Sequence, residues 1–167
     1  MPAPVTSARS AQAAGSMMRG ARKTVAVPAT DAGMRRAAEA FEAFTASRRV
    51  PAPGCHRFLL ALDEILSNII RHGRPQETGT IDLTFSMDAD VIEVEFVDSA
   101  GPFNPLEAPL PDTTAALEAR QPGGLGIALV RAMMDEVRYE RRDGRNVLTL
   151  TARLPVPAAG DGDADQG

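Results

Sequence analysis

Two periods of apolar residues run through the middle of this chain. From Phe58 onward the period is helical. Phe58, Leu62, Ile65 and Ile69 fall on one stripe, and Leu59, Leu66 and Ile70 widen it. Gly73 and Pro75 predict where that helix stops. A preceding helix is expected from Asp31, as its N-cap, to about Arg48, with Met34, Ala38, Phe41, Phe44 and Thr45 facing inward. Pro51-Ala52-Pro53-Gly54 reads as a rigid break between the two. Period-two alternation predicts a short strand over 23–29 and a hairpin of strands 80–86 and 91–98 around the turn 87–90. A proline-rich stretch over 99–122 reads as a long loop with one helical turn near 114–119, and a loop of that length is usually functional. A buried helix over 125–137 follows. Strands 137–142 and 147–153 then close across Asp143-Gly144. The order strand, helix, helix, strand, strand, loop, helix, strand, strand predicts an α/β (α+β) two-layer sandwich. Its sheet should be mixed and mainly antiparallel, with the helices on one face.

Composition narrows the picture. Hydrophobic residues make up 44% of the 167, enough for one domain with a core. With no Trp and one Tyr, that core must be built from Leu, Ile, Val, Phe, Met and Ala. Eighteen basic against 22 acidic side chains give a formal charge of -4, which argues against direct nucleic-acid binding. Cys55 is the single cysteine, so an internal disulfide is impossible and a cysteine metal site is not expected. No apolar run reaches membrane-spanning length, and the N-terminal residues make a poor secretory signal, so the expected location is the cytoplasm. Residues 1–22 and the acidic 155–167 read as flexible tails around a domain over 23–154. The Gly/Asp tract 160–165 lacks the closing Glu of a calcium loop.

Three clusters carry candidate chemistry. Glu64 and Asn68 lie one helical turn apart, away from the apolar stripe. A carboxylate beside an amide oxygen suits a hydroxyl to be activated next to a hard cation. Asp98 ends a strand, followed by Ser99-Ala100-Gly101-Pro102-Phe103-Asn104. A carboxylate there can accept a hydrogen bond from the amino group of a base. Gly123-Gly124-Leu125-Gly126 leads directly into a helix, where backbone N–H groups can cradle phosphates. It is neither a Walker A loop nor a dinucleotide fingerprint. Singly, each cluster also reads as an ordinary solvated face, turn or helix entry. Their joint order and spacing is far more specific.

On these residues the chain resembles the GHKL ATPase superfamily, and within it the small bacterial anti-sigma-factor serine/threonine kinases. Glu64-Ile65-Leu66-Ser67-Asn68-Ile69-Ile70-Arg71-His72-Gly73 is similar to the N box of that group. Gly123-Gly124-Leu125-Gly126-Ile127-Ala128-Leu129-Val130 is similar to its later glycine box. The resemblance covers about 23–154 and implies a Bergerat-type ATP-binding fold, with ATP and Mg²⁺ as ligands. It implies that Asn68 ligates Mg²⁺ and that Glu64 is the general base toward a serine hydroxyl. Asp98 would bind the adenine amino group, and Phe103 would wall the base pocket. Gly123, Gly124, Leu125 and Gly126 would close over the phosphates, and a lid of about 105–122 would include Arg120. His72 either lines the phosphate side or caps its helix. The implied partners are a STAS-type anti-anti-sigma protein and a sigma factor, with the kinase itself a homodimer.

The chain departs from the pattern in two places. Where the family has Asp-x-Gly, Ala100 stands in third place and glycine comes one later, at Gly101. Where a Thr commonly supports the adenine, the last strand has Asn146-Val147-Leu148. These departures leave a second expectation open: an ATP-binding interaction module that regulates a partner without phosphoryl transfer.

Overall fold

The computed structural model describes residues 20–72, 79–107 and 125–154. The elements in order are β1 (Ala21–Pro28), α1 (Asp31–Ala46), α2 (Ala52–His72), β2 (Thr80–Asp88) and β3 (Val91–Asp98). A single 3-10 turn (Pro105–Glu107), α3 (Leu125–Met133), β4 (Glu136–Arg142) and β5 (Arg145–Arg153) follow. The expected element order holds throughout.

The strands form one sheet in the order β1-β2-β3-β5-β4. Every neighbouring pair is antiparallel, where a mixed sheet was expected. The reason is topological. β3, α3 and β4 form a crossover whose two strands run parallel, but β5 inserts between them and is antiparallel to both. The two hairpin turns use the left-handed region. Ala89 has φ 51° in one; Asp143 and Gly144 have φ 50° and 76° in the other. Two consecutive residues of positive φ match the right-handed twist of the flanking strands.

The helices cover one face of the sheet. α2 supplies the centre of the core with Phe58, Ala61, Leu62, Ile65, Leu66 and Ile69. Phe41, Phe58 and Phe85 are fully buried and meet at ring-centroid distances of 5.6 and 5.3 Å. Each such side chain contributes roughly 1.5–3 kcal/mol by leaving water.

Several boundaries differ from expectation for identifiable reasons. Thr30, rather than Asp31, caps α1: its Oγ1 accepts a hydrogen bond from Gly33 N at 3.2 Å. The inward stripe of α1 runs through Gly33, Ala37, Phe41, Phe44 and Thr45, while Met34 and Ala38 are only half-buried. Gly33 has no room for a side chain, because a Cβ there would overlap the Pro28 carbonyl oxygen. The Pro-Ala-Pro-Gly segment is the first turn of α2 rather than a break, since Gly54 N and Cys55 N both donate to Pro51 O. Pro53 is tolerated there because first-turn amides lack helical acceptors. α3 ends at Met133, not 137, and β4 begins three residues later. β1 begins at Ala21, within the stretch expected to be a tail. The helical turn expected near 114–119 and most of the expected lid lie outside the described residues, as do the tails.

Candidate active site

β3 ends at Asp98, which register places opposite Asn146 at the start of β5. The two side chains sit on the helix-facing side and are each about 5% exposed. Asp98 Oδ1 accepts from Ala100 N and from Asn146 Nδ2, both at 2.9 Å. Its other oxygen, Oδ2, accepts no hydrogen bond from the described residues. Asp98 also lines a cavity of about 340 Å³, counting its open mouth. Ile65, Ile69 and Leu148 supply apolar walls, with Phe103 and Pro105 closing one side and Asn68 and Tyr139 at the polar rim. A mainly apolar lining with one buried carboxylate whose second oxygen lacks a partner among the described residues fits a base bearing an amino group.

The loop leaving β3 is held on both sides. Asn146 Nδ2 donates to Gly101 O at 3.0 Å, and Arg141 donates to Ala100 O at 2.9 Å. The 3-10 turn after it is seated by Asn104, whose Oδ1 accepts from Leu106 N at 3.0 Å. Phe103 is thereby presented to the cavity. The His72 ring stacks against Phe103, with centroids 5.6 Å apart and planes 23° from parallel.

α2 delivers the second half of the site. Asn68 Nδ2 donates to Glu64 O at 2.7 Å, so its amide nitrogen is spent on the helix backbone. The Oδ1 atom accepts no hydrogen bond from the described residues and could serve as a ligand atom. That arrangement fits Mg²⁺, a hard cation bound through oxygen. Among the described residues no cluster of three or more His, Cys, Asp or Glu side chains could hold a metal. A cation here would draw one protein ligand from Asn68 and the rest from a phosphorylated substrate and water, the usual pattern for Mg²⁺ at phosphate sites. Glu64 is half-buried and lies against Gly126 in the first turn of α3. A Cβ at Gly126 would overlap Glu64 Oε2. The glycine is therefore what gives the carboxylate its place at the entrance of α3.

A family model for the histidine kinase-like ATPase domain matches residues 27–152, nearly all of this sheet and its helices. The chain belongs to the histidine kinase-like ATPase domain family. Members of known kind resemble it at moderate identity. Serine/threonine-protein kinase BtrW of Bordetella bronchiseptica is 37% identical over 99 residues, covering 58% of this chain and 70% of that protein. Serine-protein kinase RsbW of Bacillus mycoides is 27% identical over 93 residues, covering 53% of this chain and 58% of its own length. The chain thus spans less than two thirds of that second relative. A solved structure of the RsbU and RsbW domains of a Mycobacterium tuberculosis protein superposes with a TM-score of 0.58 at 18% identity. It covers 80% of this chain and 32% of the other, and shows the fold to be shared.

In this histidine kinase-like ATPase domain, Asp98, Phe103 and Asn68 line one cavity. Ala100 and Gly101 form the loop beside it, Ala100 buried and Gly101 exposed. Glu64 and Gly126 form an adjoining pair. His72 reaches the cavity only through Phe103. Leu125 is the first residue of α3, and Gly123, Gly124 and Arg120 lie outside the described residues. Tyr139 and Arg141 were not foreseen at the site. The available signal was the Asp143-Gly144 turn, which fixes the β4–β5 register and puts Arg141 opposite Asn146.

Proposed function

We propose that this chain is an ATP- and Mg²⁺-dependent serine/threonine-protein kinase that acts as an anti-sigma regulatory factor. Its substrate is a serine of a STAS-type anti-anti-sigma protein, and its second partner is a sigma factor. The observation that carries the reading is that Asn68 and Asp98 line one pocket, with Glu64 one helical turn from Asn68. The BtrW and RsbW likenesses support it, since both are named as protein kinases.

Asp98 Oδ2 accepts from the adenine amino group while Phe103 and the aliphatic walls enclose the ring. Asn68 Oδ1 would hold Mg²⁺, which would neutralise charge on the phosphates. The partner's serine hydroxyl attacks the terminal phosphorus in line. A Ser O–P bond forms, the bridging P–O bond to ADP breaks, and the hydroxyl proton passes to Glu64. Such chemistry rests mainly on positioning and charge stabilisation. A dianionic phosphate on the partner's serine then weakens its interface by repulsion and desolvation. The setting is cytoplasmic and the working form a homodimer. No helix among the described residues is long and apolar enough to cross a membrane.

Calorimetry with Mg²⁺-ATP on the wild type and Asn68→Ala, followed by phosphate transfer to a STAS protein with Glu64→Ala, tests the reading. It predicts weaker nucleotide binding in the first variant. In the second it predicts retained binding and a loss of transfer of about 10²–10⁴-fold. Nucleotide binding without any transfer by the wild type, and partner release unchanged in Glu64→Ala, would instead identify an interaction module that uses ATP as a structural ligand.

A further inference from the structure

Asn146 is buried at the start of β5, and its hydrogen bonds give it a defined task. Its Nδ2 donates to Asp98 Oδ1 at 2.9 Å and to Gly101 O at 3.0 Å. Its Oδ1 accepts from Arg141 at 2.7 Å and from Tyr139 Oη at 2.8 Å, with a longer contact from Phe103 N at 3.4 Å. The amide can point only one way. A guanidinium has no acceptor, and a peptide carbonyl has no donor, so a flipped amide would face like groups at both ends. Both N–H bonds and both strong acceptor positions are consumed within the protein.

We propose that Asn146, oriented by Arg141, is the positioning residue of the base pocket. It occupies Asp98 Oδ1, turns Oδ2 toward the cavity and ties the 100–103 loop to β5. Ala100 is gripped at both its N–H, by Asp98, and its carbonyl, by Arg141. With every valence of Asn146 used, the start of β5 offers the base neither donor nor acceptor. Discrimination at the pocket floor then falls to the single oxygen Asp98 Oδ2. This inference rests on the proposal that the pocket takes ATP.

The test compares Mg²⁺-ATP with the triphosphate of purine riboside, which lacks the 6-amino group, by calorimetry. The wild type should prefer ATP by roughly 10–100-fold, the range for one hydrogen bond to a charged group. Asn146→Asp keeps the acceptor for Arg141 and Tyr139 but replaces the two donors with a charge facing Asp98. It should bring the preference to within about threefold of parity, with weakened ATP binding. A folded Asn146→Asp protein with the wild-type preference would overturn the proposal, and so would equal weakening toward both nucleotides, the mark of a merely structural role. If that variant does not fold, Arg141→Leu decides. It removes the guanidinium that holds both the Asn146 oxygen and the Ala100 carbonyl, and an undiminished preference there would overturn the proposal equally. A wild type that binds neither nucleotide refutes the ATP reading itself, an outcome distinct from either.

Discussion

Gly126→Ala separates the position of Glu64 from the stability of the fold. The added methyl would overlap Glu64 Oε2 and sit 2.6 Å from its Cδ and 3.4 Å from its Cγ. All three are side-chain atoms, so the carboxylate can swing aside without moving either helix. Displacing a χ angle costs about 0.5–1.5 kcal/mol. Replacing glycine by alanine in a helix returns up to about 1 kcal/mol. The two nearly cancel, so the melting midpoint should move by no more than a few degrees. Catalysis should not escape so lightly. A misplacement of about 1 Å can cost on the order of 10²-fold in rate. The expected pattern is therefore a folded protein that binds Mg²⁺-ATP but transfers phosphate about 10²-fold more slowly. Thermal unfolding, calorimetry and timed transfer to the protein substrate read the three quantities. Transfer at the wild-type rate would refute the idea that the place of Glu64 matters. A loss of several kcal/mol in stability would show that Gly126 is required by the helix packing instead.

Other expectations follow from the same geometry. Asp98→Asn keeps an oxygen for Ala100 N and Asn146 but turns a donor toward the cavity. Calorimetry should show Mg²⁺-ATP affinity falling by at least about tenfold with little change in melting. Phe85→Ala empties the junction with Phe41 and Phe44, at 5.3 and 5.8 Å, and should cost about 3–5 kcal/mol in denaturant unfolding. Glu93 sits on the open face of the sheet, where burial raises its pKa from the ordinary 4.5; the Arg138 charge, 3.9 Å away, opposes the shift only in part. A raised carboxylate pKa means the folded state binds its proton more tightly than the unfolded chain. The resulting destabilisation is absent below the unfolded value and complete above the folded one. Glu93→Gln should therefore raise the melting temperature at neutral pH and lose that advantage as the pH falls to the unfolded value of 4.5. A gain that persists in acid would refute the assignment.

Much of this molecule was legible in its residue pattern because the information is local. A stripe at positions 58, 62, 65 and 69 can bury itself only as one face of a helix, and those four residues are buried in α2. Alternation in 91–98 sends Ile92, Val94, Phe96 and Asp98 to one face, and all four are buried. Asp143-Gly144 permits consecutive positive φ, which is what a two-residue hairpin requires. Glu64 and Asn68 share a face by helical geometry alone. Local rules failed where two segments had to agree. The N-cap of α1 passed to Thr30, whose hydroxyl reaches Gly33 N as the chain leaves β1. The purely antiparallel pairing depended on β5 entering between β3 and β4, a choice no single strand encodes.

The pocket divides in the same way. Sequence alone established which side chains were available: a carboxylate ending one strand, an acid and an amide on one helix, a glycine opening another. Only the tertiary structure decided how they are used. Asp98 and Asn146 are 48 residues apart, and their contact exists because β5 pairs with β3 in one register. That pairing occupies Oδ1 and leaves Oδ2 without a hydrogen bond from the described residues. Likewise the carboxylate of Glu64 is placed by Gly126, from a helix far along the chain that packs on α2. Side-chain chemistry is a property of the residue. The direction in which a lone pair points is set by long-range packing and hydrogen bonds, whose partners are far away along the chain.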